Sequence, residues 1–275
     1  MPAPIVLVTG ASSGIGRATV AACAARGWSV AATMRRPADA ADLAALPGVS
    51  VMPLDVTSQE SVESAVAAVV ATFGRIDAVV NNAGYAADGI FEGADDAAIR
   101  RQFETNVFGL MRVTRAAIPV MRRQGNGTIV QVSSMGGRVT FPLYSIYHAT
   151  KWAVEGFSES LAFEVRPFGI RMRIVEPGAI RTAFYGRSRV RIAAPAGAGY
   201  DDLVERCEGI SMSAGRQRGS GPEVVAETIV RAITDRGWRL RYPVAAPAPL
   251  LMVLRKILPE AWFIRLIRRQ YGIRG

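Results

Sequence analysis

The chain has 275 residues, half of them apolar and one-fifth charged, a composition that fits a soluble globular protein with a sizeable core and excludes a disordered or low-complexity chain. Its two cysteines, Cys23 and Cys207, have no metal spacing and exclude a disulfide framework, so the reducing cytoplasm is the expected compartment. The formal charge of +10 is uneven: between Arg236 and Gly275 there are nine basic residues and one acid, Glu260.

Residues 4–9 (PIVLVT) form a short, β-branched, continuously apolar run, which fits a strand buried on both faces. Such a strand so near the start leaves no room for a signal peptide. A glycine-rich stretch, Gly10 to Gly16, follows and opens an alanine-rich helix to about residue 26. Further strands are predicted near 28–33, 49–54, 77–80, 128–133, 170–175 and 239–243, with helical stretches near 58–73, 95–123, 145–166 and 221–235. This alternation predicts an α/β fold with a doubly wound, Rossmann-type parallel sheet. The expected division is a catalytic domain over 1–246, with a lid or substrate loop at about 180–220 where periodicity is lost, and a basic amphipathic extension over 247–275. No apolar run reaches the ~18 residues of a membrane span.

Ligands of doubly wound sheets bind beyond the carboxyl ends of the strands. Segments 10–16, 81–84, 133–137 and 177–182 all follow predicted strands and are therefore expected at one crevice. In the first, Gly10, Gly14 and Gly16 let the backbone approach a pyrophosphate, and Ser12, Ser13 and Ile15 surround a helix N-terminus whose free N–H groups attract phosphate. The second strand ends Thr33-Met34-Arg35-Arg36, with no acid before Asp39. An NAD site needs a carboxylate there for the ribose 2′-hydroxyl; two guanidiniums suit the 2′-phosphate of NADP instead.

Tyr147 and Lys151 are four residues apart on a predicted helix and share a face. An ammonium beside a phenol favours the phenolate and makes the tyrosine a usable proton donor and acceptor. Lys151 is one of two lysines among 33 basic residues, and an ammonium, unlike a guanidinium, can exchange its proton.

Taken together, Thr9-Gly10-x-x-x-Gly14-x-Gly16, Asp55, Asn81-Asn82-Ala83-Gly84, Asn106, Ser134, Tyr147-x-x-x-Lys151 and Pro177-Gly178 resemble the short-chain dehydrogenase/reductase family over roughly residues 4–243. The resemblance implies that Ser134 hydrogen-bonds the substrate oxygen, Tyr147 is the acid/base, Lys151 holds the nicotinamide ribose, and Asn106 supports a water-linked proton relay. It further implies that Asp55 and Val56 contact adenine, that Asn82, Ala83 and Gly84 line the cofactor, and that Pro177, Gly178, Ile180 and Thr182 cover the nicotinamide. Arg35 matches the family's 2′-phosphate position better than Arg36. A homodimer or homotetramer is implied as well. Local alternatives stand beside these roles: Asp55 could cap the helix near Ser58, and Asn81 and Asn106 could terminate secondary structure.

Two other classes fit less well. Gly10-Ala11-Ser12-Ser13-Gly14 also reads as a hydrolase nucleophile elbow, yet His148 is the one histidine and sits mid-helix, better suited to a pocket wall than to a triad. A non-catalytic NADP-binding sensor would tend to lose the tyrosine or lysine, and both are present. No nucleic-acid motif and no metal spacing is seen.

The residues expected around the substrate, Met135, Phe141, Leu143, Tyr144, Ala179, Phe184 and Tyr185, are apolar or aromatic and suit a lipophilic molecule; Met135-Gly136-Gly137 resembles family members acting on steroids and retinoids. Arg181, Arg187, Arg189 and Arg191, with no acid between Pro177 and Tyr200, are either solvated or aimed at an anionic end of the substrate. The extension beyond Pro247 alternates apolar clusters with arginines. It is expected to pack on the protein, with peripheral contact to an anionic membrane as the alternative.

Overall fold

A computed structural model describes residues 3–182, 188–213, 217 and 219–273. Seven parallel strands form the central sheet: β1 (Ile5–Thr9), β2 (Ser29–Met34), β3 (Val49–Pro53), β4 (Ala78–Asn81), β6 (Gly127–Val132), β7 (Ile170–Pro177) and β9 (Arg241–Val244), in the order β3-β2-β1-β4-β6-β7-β9. The chain reverses direction across the sheet between β1 and β4. This is the switch point at which a doubly wound sheet opens a crevice. All five residues of β1 are buried, which is why its apolar run does not alternate. Val6 and Val8 face one core with helices α1 (Gly14–Ala24) and α7 (Pro222–Thr234). Ile5 and Leu7 face a second core with α2 (Gln59–Phe73), α4 (Leu110–Gln124) and α5 (Ser145–Val165).

Several elements were not foreseen. The long helix expected over 95–123 is broken: α3 (Asp96–Phe103) passes into a π-helical segment, Glu104–Gly109, before α4. A two-stranded parallel sheet pairs β5 (Ala86–Gly89) with β8 (Arg189–Ile192), more than 100 residues away, and helix α6 (Asp201–Met212) follows it. Asp88 in β5 is buried and Arg189 in β8 largely so, and they form a double hydrogen-bonded ion pair, Nε to Oδ1 at 2.7 Å.

Helices α8 (Ala248–Ile257) and α9 (Glu260–Gln270) end the chain. Leu251, Met252, Phe263, Ile267 and Tyr271 are buried with Val139, Leu143, Tyr144 and Tyr147 in a third cluster. No helix of the described residues is long and apolar enough to cross a membrane. Cys23 and Cys207 are buried and unpaired.

Candidate active site

The carboxyl ends of the strands open into one cleft of about 880 Å³. Its floor at one end is the turn between β1 and α1. Gly10 has φ +67°, and a Cβ there would lie 2.9 Å from the Ala83 Cα; one on Gly16 would meet the Gly10 carbonyl oxygen at 2.4 Å. Glycine is required at both because backbone fills the space a side chain would take. Thr9 Oγ1 accepts from the amides of Asn82 and Ala83 at 3.0 and 3.1 Å, while Asn82 Nδ2 donates to the carbonyls of Thr9 and Gly10 at 3.0 and 3.1 Å. Asn82 thus ties the turn to the end of β4. Helix α1 has no side-chain cap at Ser13 and no acid in its first turn, so its N-terminal amides and dipole face the cleft uncompensated, a cradle that fits a pyrophosphate.

Gly10, Ser12, Ser13, Gly14, Ile15, Arg35, Asp55, Val56, Asn82, Ala83 and Gly84 line this half of the cleft; Gly16 lies beneath it. The two arginines after β2 differ. Arg36 Nε donates to Asp39 at 3.2 Å, whereas Arg35 is exposed at the cleft and has no ion pair among the described residues. Asp55 does not cap α2. Ser58 does, accepting from the Ser61 amide at 3.2 Å, while Asp55 accepts from Thr57 at 2.9 and 2.8 Å.

Ser134, Met135, Tyr144, Tyr147 and Lys151 also line the cleft, as do Pro177, Gly178, Ile180 and Thr182, the last of these beside Gly14 of the turn. Lys151 Nζ donates to the Val132 carbonyl at 2.9 Å and lies 5.7 Å from the Tyr147 ring centre. Burial pushes the lysine down to about 8, against the opposing pull of Glu155. Ser134 Oγ accepts from the Gly136 amide at 3.0 Å, which leaves its hydroxyl proton available to a ligand. Asn106 lies behind the cleft in the π segment. Its side chain accepts from the Tyr85 amide at 3.1 Å and donates to the Tyr85 carbonyl and to Thr150 at 2.9 and 3.2 Å, binding the Gly84–Tyr85 backbone to α5.

His148 is buried, and burial lowers it to about 4, so it is neutral; its Nδ1 accepts from the Phe141 amide at 3.3 Å. Burial, then Asp88, raises the Tyr144 phenol, so Tyr144 remains protonated at neutral pH. Phe184, Tyr185 and Arg187 lie outside the described residues. Arg189 and Arg191 are paired with Asp88 and Glu208, carboxylates supplied by distant segments, so neither is aimed at an anionic substrate. The sequence reading did not name Ser211, in α6 of the expected substrate loop, or Tyr271, beyond the expected catalytic domain, and both line the cleft. No local signal marks them, because their position depends on how the C-terminal third folds back. Among the described residues no group of His, Cys, Asp or Glu could hold a metal.

A doubly wound sheet whose switch-point cleft joins a helix N-terminus suited to phosphate to Ser134 and a buried Tyr147–Lys151 pair defines a nucleotide-binding oxidoreductase. The family model for short chain dehydrogenase matches residues 4–191. The uncharacterised oxidoreductase YusZ of Bacillus subtilis is 38% identical over 269 residues, 94% of this chain and 95% of that protein. A 3-ketodihydrosphingosine reductase of Bacteroides thetaiotaomicron is 32% identical over the whole of both chains. The crystal structure of a short-chain dehydrogenase from Streptomyces avermitilis is 36% identical and superposes with a TM-score of 0.82, covering 98% of this chain and 96% of the other. The chain belongs to the short-chain dehydrogenase family.

Proposed function

We propose that the protein interconverts a ketone or aldehyde and an alcohol on a lipophilic substrate, with NADP(H) as cofactor and Tyr147 as acid/base. The observation that carries this reading is the meeting of Ser134, Tyr147 and Lys151 beside the uncapped N-terminus of α1 in one cleft. When bound, the nicotinamide supplies or receives the hydride. In the reductive direction Ser134 donates to the substrate oxygen, and Tyr147 passes its phenolic proton to that oxygen as the carbonyl carbon is reduced. Lys151 stabilises the resulting phenolate with its ammonium. One of its three N–H groups is engaged by Val132, and the other two suit ribose hydroxyls.

NADP is favoured over NAD by Arg35, which has no ion pair among the described residues, and by the engagement of Asp39, the first carboxylate after β2, by Arg36. A steroid-, retinoid- or long-chain-like substrate is supported by the wall of Met135, Phe141, Tyr144, His148 and Tyr271. The full-length similarity to a reductase of a sphingoid ketone points the same way. We infer a cytoplasmic location for the enzyme. It is a homo-oligomer, for which Phe108, Trp152 and Phe163 offer exposed apolar surface on the α4–α5 side. The test is NADPH oxidation followed at 340 nm over a panel of lipophilic ketones and aldehydes. Turnover on members of the panel supports the assignment; cofactor binding with no turnover on any of them sinks it.

A further inference from the structure

The hairpin of α8 and α9 has two unlike faces. Its inner face packs into the core behind the substrate half of the cleft: Leu251, Met252, Phe263 and Ile267 are buried in one cluster with Tyr144 and Tyr147, and Tyr271, immediately after α9, lines the cleft itself, 6.1 Å from Phe141 between ring centres. Its outer face is apolar as well. Leu250, Val253 and Ile257, at helical spacings of three and four, are 63, 56 and 66% exposed, and Trp262 on α9 is 65% exposed with Leu266, one turn further on, 41% exposed. Single exposed aliphatic residues are ordinary, but rows of them on two consecutive helices mark a surface that meets something apolar.

The charge on the same helices says what that is. Lys256, Arg265 and Arg269 are exposed and Arg268 half-exposed, and none of the four has an ion pair among the described residues. The hairpin's one carboxylate, Glu260, is held by Arg255 at 3.0 Å. A second copy of the chain on this face would set these cations against their own counterparts. An anionic lipid surface would complement both the cations and the apolar rows. The helices, of 10 and 11 residues, are too short to span a bilayer and suited to lying in its interface.

We propose that the outer face of the α8–α9 hairpin docks on an anionic phospholipid bilayer, so that a lipophilic substrate moves from the bilayer into the cleft behind the same two helices. The delivery step rests on the substrate class proposed above; the docking does not. The test is flotation of the full chain with vesicles. The protein should float with phosphatidylcholine–phosphatidylglycerol vesicles at low salt, stay behind with pure phosphatidylcholine, and be released at high salt. Arg265→Glu/Arg269→Glu and, separately, Leu250→Ser/Trp262→Ser should each lower partitioning at least roughly tenfold while leaving NADPH binding intact. Failure of the natural chain to float, or flotation indifferent to both double variants, overturns the proposal. So does a concentration-dependent dimer abolished by Leu250→Ser/Trp262→Ser, which would assign the face to a second copy. Flotation without turnover of any lipophilic carbonyl overturns the substrate class and leaves docking standing; turnover of detergent-solubilised substrate without flotation does the reverse.

Discussion

Lys151 holds its ammonium 5.7 Å from the centre of the Tyr147 ring, one helical turn back on α5, while it donates a hydrogen bond to the Val132 carbonyl at the end of β6. That bond fixes the charge between the tyrosine and the mouth of the sheet. The geometry makes the two residues separable by experiment. Tyr147→Phe removes a hydroxyl and no packing, so turnover should fall by about 10²–10⁴-fold with NADPH affinity, read by fluorescence titration, little changed. Lys151→Met should reduce both. In the natural enzyme the ammonium is present below about 8 and is discharged as pH rises through that value. The kcat/KM profile for reduction should therefore decline on its alkaline side.

Arg35 and Arg36 are adjacent in the chain and unequal in the structure, since only Arg36 is engaged by Asp39. Arg35→Ala should weaken NADPH by roughly 10- to 150-fold, the worth of ~1.5–3 kcal/mol from charged hydrogen bonds, and leave NADH affinity nearly unchanged. Arg36→Ala should have a much smaller effect. Equal losses of the two nucleotides in the Arg35 variant, measured by titration calorimetry, would remove the argument for NADP.

The parts of this molecule legible in the sequence are those that depend on local spacing. The seven strands were visible as short strand-like segments between helical ones, continuously apolar in β1 and interrupted by arginines in β7 and β9, and Tyr147 and Lys151 as a one-turn pair on a helix. The glycine turn was visible because backbone crowding at Gly10 and Gly16 leaves no alternative residue. What escaped notice depends on contacts between distant segments. The β5–β8 sheet rests on two four-residue strands, too short to show periodicity, and is held by an ion pair whose partners are 101 residues apart. Tyr271 reaches the cleft only because α9 folds back over it. Arg173 stands in a buried strand, where an arginine reads as an outward-facing residue; in fact it is enclosed.

Arg173 is among the largest side chains with almost no solvent contact. It donates to the carbonyls of Asp235, Gly237 and Arg239 at 2.8, 2.7 and 2.8 Å, and to Ala232 and Met172 at 3.2 and 3.4 Å. A guanidinium so placed closes the connection from α7 to β9 against β7. Arg173→Met keeps the apolar stem but strands several inward carbonyls, so it should lower unfolding free energy by at least about 3 kcal/mol in a denaturant titration. Arg173 does not line the cleft, and the folded fraction should bind NADPH normally. A variant as stable as the natural chain would show that water satisfies those carbonyls without help.

Glu176 is the last residue but one of β7 and is fully buried, with neither carboxyl oxygen hydrogen-bonded among the described residues. Burial first, and then the Glu155 carboxylate on α5, push it up from 4.5 to about 7; Arg138 and Arg241, 3.8 and 3.9 Å away, pull the other way. The folded protein therefore holds a proton here that the unfolded chain releases at lower pH. Below about 4.5 both states are protonated and nothing is lost. As pH rises from there to about 7 the native state is penalised, and above 7 the full cost, roughly 3 kcal/mol, remains. Glu176→Gln keeps the shape and removes the titration. It should match the natural chain in stability near pH 4.5 and exceed it at pH 8, by roughly 5 °C in Tm for a chain of this size. Scanning calorimetry at the two pH values decides the matter: an equal or lower Tm for the glutamine variant at pH 8 would mean that the two arginines hold Glu176 charged at no net cost.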